Sequence, residues 1–281
     1  MSSPPRDKQY FLRQLIEFFD PERLARVHPR FASMGILGEV REYYQTLPAE
    51  EKEAFDEAVL EWLDSESGQN NAMFVARIIK LKRAVEKILQ IGEANAPLRD
   101  PTNYWRNDDA SERVSTAVVA LGQIGDRRAI PFLENEAAHS GDLFPLAGQT
   151  KAILALGFID LNAALEFLPV IVRGDVRCRQ KREELPPPAR GPYTSSDLFA
   201  LVGAHGTRIV LQIASHLRNL SPEEKRYASE TWESLLARQP ELVQVPAGGG
   251  PGARKAEQER LARLFAEEMG LENGPSSIKV S

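Results

Sequence analysis

The chain has 281 residues, a mass of 31.3 kDa and 42% hydrophobic residues, which supplies a sizeable core and excludes disorder throughout. Thirty-five Lys and Arg stand against forty Asp and Glu, and the net charge of −5 excludes a general attraction to nucleic acid or to an anionic membrane. The single cysteine, Cys178, excludes an intramolecular disulfide; no apolar run reaches the roughly 18 residues needed to cross a bilayer; and the opening Met1-Ser-Ser-Pro-Pro-Arg-Asp-Lys8 lacks the basic and apolar regions of a secretion signal, so a cytoplasmic location is expected.

Apolar residues recur at helical spacing almost everywhere, and sustained alternation of β-branched residues is missing, so the expected fold class is all-α. Residues 8 to 19 set Phe11, Leu15, Phe18 and Phe19 on one face, and Asp20-Pro21-Glu22 reads as the N-cap and first turn of the next helix. A third helix is predicted from about Gly35 to Gln45. A fourth starts at Pro48 with the stripe Phe55, Val59, Trp62 and Leu63, and its opposite face carries Glu53, Asp56, Glu57, Glu61 and Asp64. Residues 1–70 hold eight basic against fourteen acidic residues and form an acidic N-terminal helical region. Residues 71–91 are predicted as one helix burying Phe74, Ile78, Leu81, Val85 and Ile88, with Arg77, Lys80, Arg83 and Lys87 beside that face and Gly92 as its stop.

Between residues 111 and 172 the sequence repeats itself. Ala120-Leu121-Gly122-Gln-Ile124 matches Ala155-Leu156-Gly157-Phe-Ile159 at a separation of 35, and Phe132-Leu133 matches Phe167-Leu168. Each copy has an amphipathic segment, a turn carrying Asp126 or Asp160 suited to an N-cap, and a second apolar segment. Gly122 and Gly157 lie late in the first segment, where a small residue admits a neighbouring helix. The stretch Ala120-Leu-Gly-Gln-Ile-Gly125-Asp126-Arg-Arg-Ala129-Ile130-Pro131-Phe-Leu133 resembles the HEAT repeat, in its short bacterial subtype named after phycobilisome lyases. The second copy departs from that pattern, lacking the Gly-Asp pair and carrying Glu166 in place of Pro131. A weaker echo, Ile91-Gly92-Glu93-Ala-Asn-Ala96-Pro97, is offset by 33 residues from Ile124-Gly125-Asp126. The resemblance implies a right-handed α-solenoid-like stack of antiparallel helical hairpins, completed by a helical N-terminal cap and by further helices over residues 193 to 240. Thr194 with Asp197, and Ser221-Pro222-Glu223-Glu224 with its capping-box spacing, mark helix starts there; the latter helix presents Tyr227, Trp232, Leu235 and Leu236. A helical repeat region of 71–240 is thus followed by a flexible linker over 241–252, rich in Gly and Pro from residue 246, an amphipathic helix over 253–270 with Leu261, Leu264 and Phe265, and a tail over 271–281.

Chemistry is harder to find. His28, His139, His205 and His216 have no ligand partners at ordinary metal spacing, and the His-Glu dipeptides of the hydroxylases in the HEAT-like family are missing, so no metal and no cofactor is expected. Phosphate-loop and nucleophile-elbow patterns are also missing, and Cys178 has no identifiable base. The resemblance therefore points to a non-enzymatic scaffold or adaptor that binds another protein. An inhibitor or immunity-like protein that masks a basic site with its acidic N-terminal region is the alternative. The alternative of another class is an enzyme, either a HEAT-like DNA glycosylase using Trp105 and Arg106 or a bilin lyase. The candidate binding residues are Arg173, Arg177, Arg179, Lys181, Arg182 and Arg190, in a stretch over 173–192 that carries a net charge of +3 and Pro186, Pro187 and Pro188 and is predicted as an exposed loop. Leu121→Ala should lower stability by about 2–5 kcal/mol and Asp142→Ala should do little, a difference read from urea denaturation midpoints.

Overall fold

A segment such as Asp109–Ile124 forms a helix for several local reasons at once. The Asp108 carboxylate accepts from the Ser111 amide at 2.6 Å, acids occupy the first turn, and Gly125 ends the helix in the left-handed conformation at φ 77°. The computed structural model of the chain describes residues 6–20, 32–99, 108–139, 148–186, 199–243 and 251–271. All regular structure among these residues is α-helix or short 3₁₀-helix, and no helix among them is long and apolar enough to cross a membrane. Two compact units form, one from Met1–Asp100 with Asn107–Phe132, the other from Pro101–Arg106 with Leu133–Ser281.

In the first unit α1 (Lys8–Phe18) packs on α3 (Ala49–Trp62), while α2 (Ala32–Thr46) meets α4 (Gln69–Ile79). Phe11 sits edge-on to Phe55 with ring centroids 5.5 Å apart, and Phe19 tilts over Trp62 at the same distance. The apolar stripe of α3 is buried through Phe55, Val59, Trp62 and Leu63. Residue 70 lies inside α4, so the acidic N-terminal helices share one compact unit with the helices that follow. The single helix expected over 71–91 is two helices. Lys80 turns left-handed at φ 55°, Leu81 is extended, Lys82–Ala84 form a 3₁₀ turn, and α5 (Val85–Asn95) continues straight through Gly92. The break has no Gly or Pro to announce it, and both helices bury apolar residues, so the periodicity runs on across it. The buried face of α4 is Ala72, Met73, Val75 and Ala76, whereas Phe74 and Ile78 are only half-buried. Gly92 serves packing: a Cβ there would stand 2.6 Å from the Phe132 ring. α6 (Asp109–Ile124) lies against both α4 and α5, with Leu121 fully buried.

A second left-handed turn, Gly125-Asp126, leads through the 3₁₀ turn Arg127–Ala129 into α7 (Ile130–Ala138), which spans the point where the chain passes between units. The counterpart of this connection is Lys80-Leu81 followed by Lys82–Ala84, 45 residues upstream. The echo at Ile91-Gly92, read at an offset of 33, falls within a helix instead of at a turn. Sequence matching picked up a shared apolar pattern there, while the turn itself changed its residues from Gly-Asp to Lys-Leu.

The second unit is built on α8 (Gln149–Ile159) and α9 (Leu161–Glu183), which pack together across the single extended residue Asp160. α10 (Ala200–His205) meets α8. After it, the positive-φ Gly206 and the 3₁₀ turn Thr207–Ile209 lead into α11 (Val210–His216), which packs on α9. α12 (Pro222–Arg238) begins at the capping box of Ser221 and Glu224 and also packs on α9. The terminal amphipathic helix, α13 (Pro251–Glu268), lies on α11 and α12 and starts within the stretch expected to be linker. Phe199, Trp232 and Phe265 form an aromatic cluster with centroids 5.1–5.8 Å apart, and this gives α13 its docking site.

Residues 173–183, expected as a loop, form the last three turns of α9. Val172, Val176 and Cys178 are buried there, and the prolines from 186 onward forbid helix only beyond this point. Pro21, Glu22, His28, Trp105, Arg106, Asp142, Pro187, Pro188, Arg190, Thr194, Asp197, most of the Gly-rich linker and the tail beyond 271 lie outside the described residues.

Two helical glycines of the second unit make opposite forecasts. A methyl on Gly157 would overlap the buried Leu201 side chain, whereas one on Gly203 meets nothing within 4 Å. Gly157→Ala should cost about 1 kcal/mol net, overpacking outweighing the better helix propensity, and Gly203→Ala should gain about 0.5–1 kcal/mol. Thermal denaturation of the two variants checks the pair.

Candidate functional site

The cationic side chains singled out from sequence sit on α9, opposite the first half of α12. Buried Val172 and Val176 hold this turn of α9 against its neighbours, and the intervening positions 173, 177 and 180 are exposed. α12 answers with acids in its first turns. Arg173 Nε stands 3.8 Å from Glu224 Oε1, Gln180 Nε2 donates to Glu223 Oε1 at 2.9 Å, and Arg179 donates to Glu230 Oε2 at 3.4 Å and to Glu183 Oε1 at 3.3 Å. Glu224 does two things at once, since its Oε2 accepts from the Ser221 amide at 2.8 Å and completes the helix cap.

Between these rows lie two adjoining depressions of about 400 and 220 Å³, which share Val176, Gln180 and Glu223 in their walls. Guanidinium groups of α9 face carboxylates of α12 across their surface, with Val170 and Val176 as apolar footing. Beneath them the Tyr227 hydroxyl donates to Asp175 Oδ2 at 3.1 Å, both residues being buried. A buried carboxylate is tolerated only with such partners, so this bond pins the α9 to α12 register under the groove.

The six candidate residues do not act alike. Arg173, Arg177 and Arg179 are exposed along the groove and Lys181 is exposed on α9, whereas Arg182 is buried and contributes to the body of the unit. Arg190 lies outside the described residues. The acids Glu223, Glu224 and Glu230, with Arg226, were missed as site residues. Their signal was present as an i, i+3 and i+7 spacing after Ser221, but it was read only as a helix start.

The turn residues have definite tasks. Asp126 Oδ1 accepts from the Arg128 amide at 3.0 Å and from its Nε at 2.9 Å, and Arg128 Nη1 reaches Glu86 Oε1 at 2.9 Å. The Arg128 guanidinium holds the Asp126 carboxyl at about 2. Asp160 Oδ1 accepts from the Asn162 and Ala163 amides at 3.1 and 3.3 Å and caps α9. Gly122 is buried in α6 and Gly157 in α8.

The acidic face of α3 is engaged within its own unit. Arg83 pairs with Glu53 and Glu57, Lys87 donates to both oxygens of Asp64 and to the Leu60 carbonyl, Lys8 pairs with Glu61, and Arg6 clasps Glu51. Arg77 instead lays its guanidinium 4.5 Å above the Phe74 ring. Burial raises the Asp56 carboxyl and pushes the neighbouring Tyr44 hydroxyl up to about 12. Glu53, Glu57, Glu61 and Asp64 are thus each paired with a cation of the same unit in solvent-exposed contacts.

Cys178, a free thiol, is buried in α9. His139 Nδ1 lies 2.7 Å from the Asn135 carbonyl and His216 Nδ1 2.8 Å from the Gln212 carbonyl, each within its own helix or at its end. His205 Nε2 is buried with no hydrogen-bond partner and lies close to Gly157. Among the described residues no three His, Cys, Asp or Glu side chains are grouped to hold a metal ion.

Comparison of the chain with protein-family models, with curated proteins and with solved structures finds no match.

Because the folded Asp126 carboxyl lies below its ordinary value near 3.8, its added stabilisation is complete above about pH 4 and is lost as pH falls through about 2. Asp126→Asn should therefore lower the urea midpoint at pH 6 by more than it does at pH 2.

Proposed function

We propose that this chain is a non-enzymatic scaffold or adaptor that binds another protein through the groove between α9 and α12. The observation that carries this reading is the groove itself, an open surface with mainly arginines along the α9 wall, mainly glutamates along the α12 wall and an apolar footing. Facing rows of opposite charge orient a partner and reject wrong ones, while the exposed ion pairs across the groove are weak enough to exchange for intermolecular ones. Arginine suits this exchange because its planar donor fork grips carboxylates in two-point contacts.

The local architecture supports the same reading. Short helices joined by recurring left-handed and 3₁₀ turns are the construction that a HEAT-like, right-handed solenoid would use, and such stacks commonly act as protein-binding surfaces. In this reading the protein works in the cytoplasm without metal or cofactor. In the inhibitor reading a basic target would first have to displace Arg83, Lys87 and Lys8 from the acids of α3 and Asp64, with which they form exposed ion pairs.

The test begins with a photo-crosslinking residue at Gln180 in the native host, which identifies the partner. Replacing Arg173, Arg177 and Arg179 together by alanine should then weaken binding by about tenfold or more at low salt and less at high salt, with the thermal midpoint nearly unchanged. Affinity that is unaltered across the salt series removes the groove from the interface.

A further inference from the structure

The first unit holds a second groove, of about 440 Å³, enclosed by the end of α3, the start of α4, α5 and Arg113 of α6. Leu63, Ile91 and Ala94 line its apolar part, and Gln69 and Gln90 contribute amides. Arg113 lies deep in this groove, its side chain only 17% exposed. Its contacts are long and single-pointed, with Nη1 3.4 Å from Asn95 Oδ1 and Nη2 3.2 Å from Glu66 Oε1. Asn95 is itself buried and held in place by donating Nδ2 to the Ile91 carbonyl at 2.8 Å, so its oxygen is aimed at the arginine. Glu66, by contrast, lies in the turn between α3 and α4, and its side chain is 82% exposed.

A guanidinium with so little exposure is best satisfied by a carboxylate in two-point contact. Glu66 makes only one contact and surrenders little hydration when it leaves, so it is an exchangeable occupant. The other acid in the wall, Asp64, is neutralised by Lys87 at 2.6 and 2.7 Å and therefore adds little repulsion.

We infer that this groove binds a glutamate-bearing peptide segment of a partner protein, the incoming carboxylate displacing Glu66 from Arg113. The side-chain methylenes of that glutamate would rest on Ala94 and the accessible edge of Ile91, and Gln69 and Gln90 provide donors and acceptors for the peptide backbone. The inference shares with the proposed function only the premise of a protein partner. It concerns a separate groove, and the experiment uses the purified chain with a defined probe, so either can fail alone.

The probe is an N-acetylated, C-amidated tetraglutamate peptide titrated into the full chain labelled with ¹⁵N. Saturable shifts are expected at the Arg113 Nε resonance and at the amides of Ile91 and Asn95. Glu66→Gln should tighten binding several-fold by removing the competing carboxylate, whereas Glu39→Gln, an equal change of charge elsewhere in the unit, should leave it unchanged. Arg113→Lys should weaken binding at least tenfold although the charge is kept, because the fork is lost. The variant lacking Arg173, Arg177 and Arg179 should bind as the parent does. Absence of saturable shifts at these resonances, an affinity indifferent to Glu66→Gln, equal tightening by Glu39→Gln, or glutarate binding as tightly as the peptide would each overturn the inference. Glu66→Gln alters an exposed side chain, so it decides the matter even where an Arg113 variant fails to fold.

Discussion

Most of the helices among the described residues are too short to stand alone in water. α4 and α5 have eleven residues each, α11 has seven and α10 six, whereas an isolated helix is marginal below about 12–15 residues. Each must bury a face on a neighbour to exist at all. In the first unit α6 provides that surface for α4 and α5, and in the second α9 provides it for α8, α11 and α12. The small residues of these contacts follow from the same constraint: Gly92 admits the Phe132 ring and Gly157 admits Leu201, and each close approach lets a short helix bury enough surface to persist.

Packing so many short helices creates many helix ends, and each end leaves backbone groups without partners. The chain answers with a recurring device. A left-handed residue closes one helix at Lys80, Gly125 and Gly206, and a 3₁₀ turn or a capping side chain opens the next, the caps being the Asp126 and Asp160 carboxylates and the Ser221 hydroxyl. These turns set the angle at which the next helix leaves, and so they determine which side chains end up on opposite walls of a groove. The α9 to α12 groove depends on the Ser221 cap in this way, since Glu224 both closes the cap and faces Arg173.

Charge is distributed by the same geometry. Cations of the first 3₁₀ turn and α5 reach the acids of α3 and Asp64, which joins two apparently separate charged faces into one surface network. In the second unit, pairing across α9 and α12 stays at the rim of an open depression. The pairs are solvent-exposed in both units, and those of α9 and α12 are distinguished by bordering a depression.

The sequence by itself determined the helical class, because the 3.6-residue periodicity is local, and it placed the ends at Ile124 and Ile159, where glycine or aspartate must terminate one helix or cap the next. It also marked Arg173, Arg177 and Arg179 as a cationic group. Only the tertiary structure decided that residues 69–95 form two helices, since Lys80 adopts a left-handed conformation that packing on α6 enforces and that no local residue preference announces. It alone made 173–183 helical, because burying Val176 and Cys178 and bonding Asp175 to Tyr227 draw on contacts more than 40 residues away in sequence. The partners of the charges were equally out of reach. A helix face read from sequence shows which charges it carries, but whether they meet water or an opposite charge depends on which helix lies beside it.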